Sequence, residues 1–287
     1  MIQIPTSTFI LLALLVVPAT GKTIKVPLWP DKAAPFGEGR TEKANPVMTA
    51  YIPRNSNGTA VVICPGGGYG TLVKGPEGTG IARWLNKHKI TGIVLEYRLP
   101  KGEAFRPLLD AQRAIRLTRA NAKDWNIDPG KVGIMGFSAG GHLASTAATH
   151  FDKGEKGAKD PVNRESSRPD FAVLIYPVIT MGNGTHLGSR KNLLGPKPTA
   201  EAIEMFSNEK QVTQDTPPCF VAHAANDAVV HVSHSRMFQK ALVAKGVKSK
   251  YYEPPTGNHG FNIYKGEIWD SWQKQSLDWL RSLDLIK

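Results

Sequence analysis

The stretch Gly136-Phe137-Ser138-Ala139-Gly140 decides how this chain is read. An apolar run, 132–135 (VGIM), leads into it, and a helix of small residues, 141–149 (GHLASTAAT), leaves it. A G-x-S-x-G pattern set between strand and helix is a nucleophile elbow, a turn so tight that glycine is needed on both sides of the serine. The turn predicts a Ser138 hydroxyl lifted above a sheet edge. It also puts that hydroxyl at a helix N-terminus, where unpaired N–H groups and the macrodipole favour developing negative charge.

Outward from the elbow, apolar runs alternate with helical periodicity. Strands are expected over 47–53, 60–64 (AVVIC), 90–97, 171–176 (FAVLIY), 219–223 and 248–252. Helices are expected near 78–88, 105–125, 200–206, 233–245 and 268–283. Continuous apolar strands alternating with helices predict an α/β fold, a mostly parallel, doubly wound sheet with helices on both faces. In such sheets ligands bind beyond the carboxyl ends of the strands. The elbow and the loop Pro65-Gly66-Gly67-Gly68-Tyr69 both fall there. The Pro/Gly-rich approach 27–46 and the stretch 177–218 read mostly as loop, and the polar stretch 152–170 reads as an exposed insertion. Asp110, Arg113 and Arg116 read as a charge cluster on a helix surface.

Length and composition fit one such domain. At 287 residues, 41% hydrophobic and 21% charged, the chain has the balance of a globular protein. Residues 9–17 (FILLALLVV) form an apolar run too short to span a bilayer, followed by small residues at Ala19 and Gly21. Residues 1–21 are accordingly read as a signal peptide and 22–287 as the catalytic domain, which predicts a secreted or periplasmic protein with no stable membrane insertion after cleavage. An uncleaved anchor is the alternative. The net charge of +12 is spread along the chain, with no basic run or nucleic-acid motif, so no nucleic-acid partner is expected. The two cysteines, Cys64 and Cys219, are expected as buried free thiols at strand positions beside the site edge, on strands too far apart to pair.

A serine hydroxyl becomes a strong nucleophile when a base takes its proton, and the base needs a carboxylate to orient it. Asp227, in His223-Ala224-Ala225-Asn226-Asp227, follows a predicted strand and precedes a helix. His259, in Gly257-Asn258-His259-Gly260-Phe261, stands in the same position after the next strand. The order Ser138, Asp227, His259 suits nucleophile, acid and base. Two backbone donors must hold the oxyanion. The N–H of Ala139 is one candidate, and those of Gly67 and Gly68 are the others. His231 and His234 have the spacing of one helix face but lack a third ligand, so no metal is expected. No cofactor is expected either.

These pieces resemble the α/β-hydrolase superfamily, in particular its single-domain bacterial carbohydrate esterases of the acetylxylan-esterase type. The resemblance covers roughly residues 45–285 and rests on PGGGY at 65–69, EYR at 96–98, GFSAGGH at 136–142, NDAVV at 226–230 and NHGF at 258–261. Pro65 stands where related esterases begin the loop with histidine, and Asn226 where they carry a first aspartate. The segment 185–190 (THLGSR) is similar to one near the family's substrate entrance. The resemblance implies a serine esterase without a large lid domain, acting on acylated oligo- or polysaccharide such as acetylated xylan. A feruloyl or broad short-chain carboxylesterase, and a catalytically silent carbohydrate-binding protein, are the open alternatives. The sequence assigns no oligomeric state.

Overall fold

A computed structural model describes residues 21–29, 34–35 and 46–287; the expected leader, apart from Gly21, lies outside the described residues. Among the described residues eight strands form one sheet: β1 (Lys22–Pro27), β2 (Val47–Ile52), β3 (Gly58–Cys64), β4 (Thr91–Glu96), β5 (Ile127–Phe137), β6 (Ala172–Ile175), β7 (Cys219–Ala222) and β8 (Ser249–Tyr252). Their spatial order is β1-β2-β4-β3-β5-β6-β7-β8. The β1/β2 and β2/β4 pairs are antiparallel, and every pair from β4 to β8 is parallel. This is the α/β-hydrolase architecture the elbow predicts.

Parallel strands need crossovers, and the helices supplying them cover both faces. Along β3, Ala60, Val62 and Cys64 enter one core layer while Val61 and Ile63 enter the other, as the two-residue period of a strand demands. The first layer takes α2 (Phe105–Ala120), α3 (Ala139–Thr149) and α6 (Ser233–Ala244), through residues such as Ile115, Leu143 and Phe238. The second takes α1 (Gly80–Lys87) and the closing helix Gly266–Arg281, through Leu85 and Trp272. Among the described residues no helix is long and apolar enough to cross a membrane.

Several elements depart from the sequence reading. The edge strand β1 was not expected; its burial alternates between exposed and intermediate, which leaves only a weak apolar signal. The stretch read as mostly loop contains α4 (Leu187–Leu194), capped by His186, in addition to the expected helix there, α5 (Ala200–Met205). The 152–170 insertion is fastened to α2, where Arg116, Arg113 and Arg119 pair with Asp152, Asp160 and Asp170. Nor is the Asp110 cluster a surface feature. Asp110 is fully buried and accepts from the Arg98 guanidinium at 2.8 Å, while Arg113 reaches the Leu28 carbonyl at 2.8 Å. Both cysteines are free and buried. Cys64 ends β3 at the site edge, but Cys219 opens β7 at the opposite one, because the chain enters that strand from the far side.

Candidate active site

Ser138 sits between β5 and α3 with φ 53° and ψ −120°, a conformation that a non-glycine residue holds only under constraint. The constraint is visible. Its N–H donates to the Ile175 carbonyl at 3.0 Å, and its own carbonyl accepts from His142 and Val178, each at 3.1 Å. The flanking glycines are required by close approach. A Cβ at Gly136 would lie 2.0 Å from the Gly140 carbonyl oxygen, and one at Gly140 would lie 2.1 Å from that of Cys64.

The hydroxyl of Ser138 meets Nε2 of His259 at 3.0 Å, and Nδ1 of His259 meets Oδ2 of Asp227 at 2.7 Å. Each residue comes from a separate strand end: Ser138 after β5, Asp227 after β7, His259 after β8. The structure thus joins the three residues singled out in the sequence into one hydrogen-bonded chain. Asn226, in the place of a family aspartate, accepts the Asn258 N–H at 3.0 Å and ties the acid loop to the histidine loop.

Asp227 has no unused acceptor site. Oδ1 accepts from the N–H groups of Val229 and Val230 at 2.9 and 3.0 Å, and Oδ2 accepts from His223 as well as His259. Burial pushes its carboxyl up, but the bonds from His223 and His259, the charge of His259 and the Val230 N–H outweigh burial. The carboxyl is held far below the ordinary carboxylate range, so it stays ionised.

The triglycine loop lies against the serine: a Cβ at Gly66 would come 3.0 Å from that of Ser138. It is clamped at successive atoms. The Tyr97 hydroxyl donates to the Pro65 carbonyl at 2.7 Å, the Gly66 N–H donates to Glu77 at 2.7 Å, and Asn192 donates to the Gly68 carbonyl at 2.8 Å. Gly67 turns its carbonyl to the N–H groups of Gly70 and Thr71 at 3.0 and 3.1 Å. Among the described residues no acceptor engages the N–H of Gly67, Gly68 or Ala139. Ala139 follows the serine directly, and Gly67 and Gly68 belong to the loop that Gly66 lays against it.

The sequence reading missed Glu77, Tyr176, Asn192 and Tyr264, and noted His223 only as a neighbour of the acid. Tyr97 had a signal in the EYR motif, whereas Glu77 had none. His231 and His234 do not act together. The His234 ring accepts from the Ile179 N–H at 2.9 Å, and His231 is engaged with Ser233 on the surface. Among the described residues no three His, Cys, Asp or Glu side chains gather as a metal site. The 185–190 segment forms the cap of α4, with the His186 ring accepting from the Ser189 N–H at 3.2 Å.

The BD-FAE family model matches residues 48–242 of the chain, which takes in the triglycine loop, the elbow and the acid. The chain belongs to the BD-FAE family, within the α/β-hydrolases. This BD-FAE chain is 35% identical over 249 residues to an acetylxylan esterase of Xylanibacter ruminicola, an alignment covering 84% of this chain and 49% of the relative. It is 37% identical over 232 residues to endo-1,4-beta-xylanase B of Butyrivibrio fibrisolvens, covering 79% of this chain and 36% of that one. The BD-FAE chain thus spans between about a third and a half of the length of these curated relatives. Among solved structures, an acetyl ester-xyloside bifunctional hydrolase from Caldicellulosiruptor lactoaceticus superposes with a TM-score of 0.89 at 36% identity. That superposition covers 94% of the BD-FAE chain and 100% of the solved one.

Proposed function

We propose that this chain is an exported serine carboxylic ester hydrolase that removes short acyl groups, acetyl above all, from carbohydrate such as acetylated xylan. The observation that carries the reading is the hydrogen-bonded chain Ser138–His259–Asp227, with the triglycine loop laid against the serine at Gly66. The acetylxylan esterase and the acetyl ester-xyloside hydrolase among its relatives support the same chemistry and indicate the substrate class.

In this reading Oγ of Ser138 attacks the ester carbonyl carbon as Nε2 of His259 takes its proton. The carbonyl oxygen becomes an oxyanion held by the N–H groups of Gly67, Gly68 and Ala139, each donor worth about 3–4 kcal/mol of barrier. His259 then gives the proton to the departing sugar oxygen, leaving an acyl group on Ser138. A water molecule, deprotonated by the same nitrogen, attacks the acyl carbon; acetate leaves and Ser138 regains its proton. Asp227 fixes the histidine tautomer and stabilises the imidazolium. An alcohol leaves more readily than an amine, so the residues described suffice for an ester.

The test is acetate release from acetylated xylan, run beside p-nitrophenyl acetate and methyl ferulate, for wild type and Ser138→Ala. Acetate from xylan, lost in the variant, is the expected result. Turnover of the ferulate or the small ester alone moves the substrate to the feruloyl or broad carboxylesterase alternative. A fully active Ser138→Ala overturns the mechanism. Export is tested separately by N-terminal sequencing of protein recovered outside the cytoplasm: a chain starting at Lys22 is expected, and an intact leader on cytoplasmic protein overturns it.

A further inference from the structure

Glu77 is a buried carboxylate that the mechanism above does not use. It lies in a single π-helical turn, Gly75–Thr79, a geometry often found at functional sites. It is 2% exposed, and among the described residues no cation pairs with it in a salt bridge. Its three partners all belong to the site. Oε2 accepts the Gly66 N–H at 2.7 Å; Oε1 accepts the hydroxyls of Tyr176 at 3.0 Å and Tyr264 at 3.1 Å. The Tyr176 ring in turn lies against the His259 ring, with centroids 4.7 Å apart.

Tyr264 closes an unusual segment. Phe261, Asn262, Ile263 and Tyr264, just beyond His259, have φ of 46°, 62°, 58° and 63°. Four successive non-glycine residues at positive φ are strained, so the segment persists only if it is held. Phe261, fully buried, holds one end. The bond from Tyr264 to Glu77 holds the other. Burial pushes the Glu77 carboxyl up, opposed by the Gly66 N–H and the two phenols.

We propose that Glu77 is a positioning residue that locks the triglycine loop and the His259 loop to one another. Through Gly66 it sets the direction of the N–H groups of Gly67 and Gly68, and through Tyr176 and Tyr264 it sets the His259 ring over Ser138. The inference rests on the esterase reading.

The experiment compares wild type, Glu77→Ala, Glu77→Gln and Tyr264→Phe with p-nitrophenyl acetate. Inhibition by phenylboronic acid, which forms a tetrahedral adduct on an active serine, and thermal melting are measured alongside. Glu77→Ala is expected to lower kcat by about thirtyfold, weaken the boronate by a similar factor and leave KM within about threefold, because the aligned donors act on the tetrahedral state. Glu77→Gln, which keeps an acceptor for Gly66, is expected to recover about tenfold of that loss, and Tyr264→Phe to lose about fivefold. A folded Glu77→Ala with wild-type kcat and boronate affinity overturns the proposal. If Glu77→Ala does not fold, Tyr264→Phe decides, since it leaves the Gly66 bond in place: wild-type kcat there overturns the proposal and a clear fall supports it. A wild-type chain that turns over no ester and takes up no boronate defeats the esterase reading instead, before any variant is compared.

Discussion

His223 shares an acceptor with His259: its Nε2 lies 3.2 Å from Oδ2 of Asp227, the same oxygen that takes the Nδ1 hydrogen of His259. The Val230 carbonyl lies 2.9 Å from that same Nε2, so the nitrogen faces two acceptors and carries the hydrogen. Nδ1 then accepts from the Ser235 hydroxyl at 2.7 Å. Fully buried, His223 fixes the acid from behind. His223→Leu removes one charge-assisted bond from Asp227 and should lower kcat/KM about tenfold, with KM little changed. Steady-state kinetics on a soluble acetyl ester check this, and a wild-type rate would remove His223 from the site's support.

The two central glycines of the clamped loop should respond differently to alanine. At Gly67, φ is +122° and a Cβ would lie 2.4 Å from the Thr71 carbonyl oxygen; at Gly68, φ is +62° and the space is open. Gly67→Ala must displace the loop, and a loss of about a hundredfold in kcat is expected, the effect of losing an oxyanion donor. Gly68→Ala incurs only left-handed strain of about 1–2 kcal/mol and should remain within about tenfold of wild type. Equal losses at both positions would show that crowding at Thr71 is not what matters.

Two buried histidines are expected to weaken the fold toward acid. His142 accepts from the Tyr69 hydroxyl at 2.9 Å and donates to the Phe206 carbonyl at 2.8 Å; His234 accepts from the Ile179 N–H and donates to the Gly184 carbonyl. Burial lowers each from 6.5 to about 4. The unfolded chain therefore takes up two protons that the folded chain refuses. Stability present above pH 6.5 is lost as pH falls through 4, with a slope approaching about 2.7 kcal/mol per pH unit for two protons. Denaturant titrations across that window in wild type and His142→Gln check the sign. Identical slopes would rule His142 out as a contributor.

The buried ion pair of Arg98 and Asp110 is a separate dependence. The Trp29 indole and the Arg98 backbone N–H also donate to Asp110, at 3.0 and 2.9 Å. Arg98→Met strands a carboxylate with no exposure to water and should cost about 3–5 kcal/mol in urea unfolding. Lys274→Ala, which removes one of two exposed partners of Asp278, should leave the midpoint in place. Indistinguishable midpoints for the two variants would contradict the ion-pair account.

Much of this was legible in the chain because the signals were local. The elbow announces itself through two glycines that backbone crowding demands, and the runs 60–64 and 171–176 are apolar throughout because both faces of those strands are covered. Asp227 and His259 could be picked by chain order and by their place after strands. What stayed hidden depends on distant contacts. Glu77, beside Pro76 and Gly78, reads as the opening of a helix, and only the fold brings it to Tyr264, 187 positions away. Asp110 and Arg113 read as solvated because their partners, Arg98 and the Leu28 carbonyl, lie on other segments. The α4 helix has almost no amphipathic pattern to betray it, since only Ser189 and Leu193 are buried.

The loops that meet at Ser138 hang from the carboxyl ends of β3, β5, β7 and β8, and each of these strands is held by parallel neighbours. Parallel ladders join residues remote along the chain, so the closure entropy is spent before any contact rewards it. Reactivity at the serine consequently requires all four of these strand ends to be in place at once. After dilution from denaturant it should trail the return of helical signal, since helices form from local contacts and the site does not. A chain stalled one strand short would look largely native by circular dichroism and still be chemically silent.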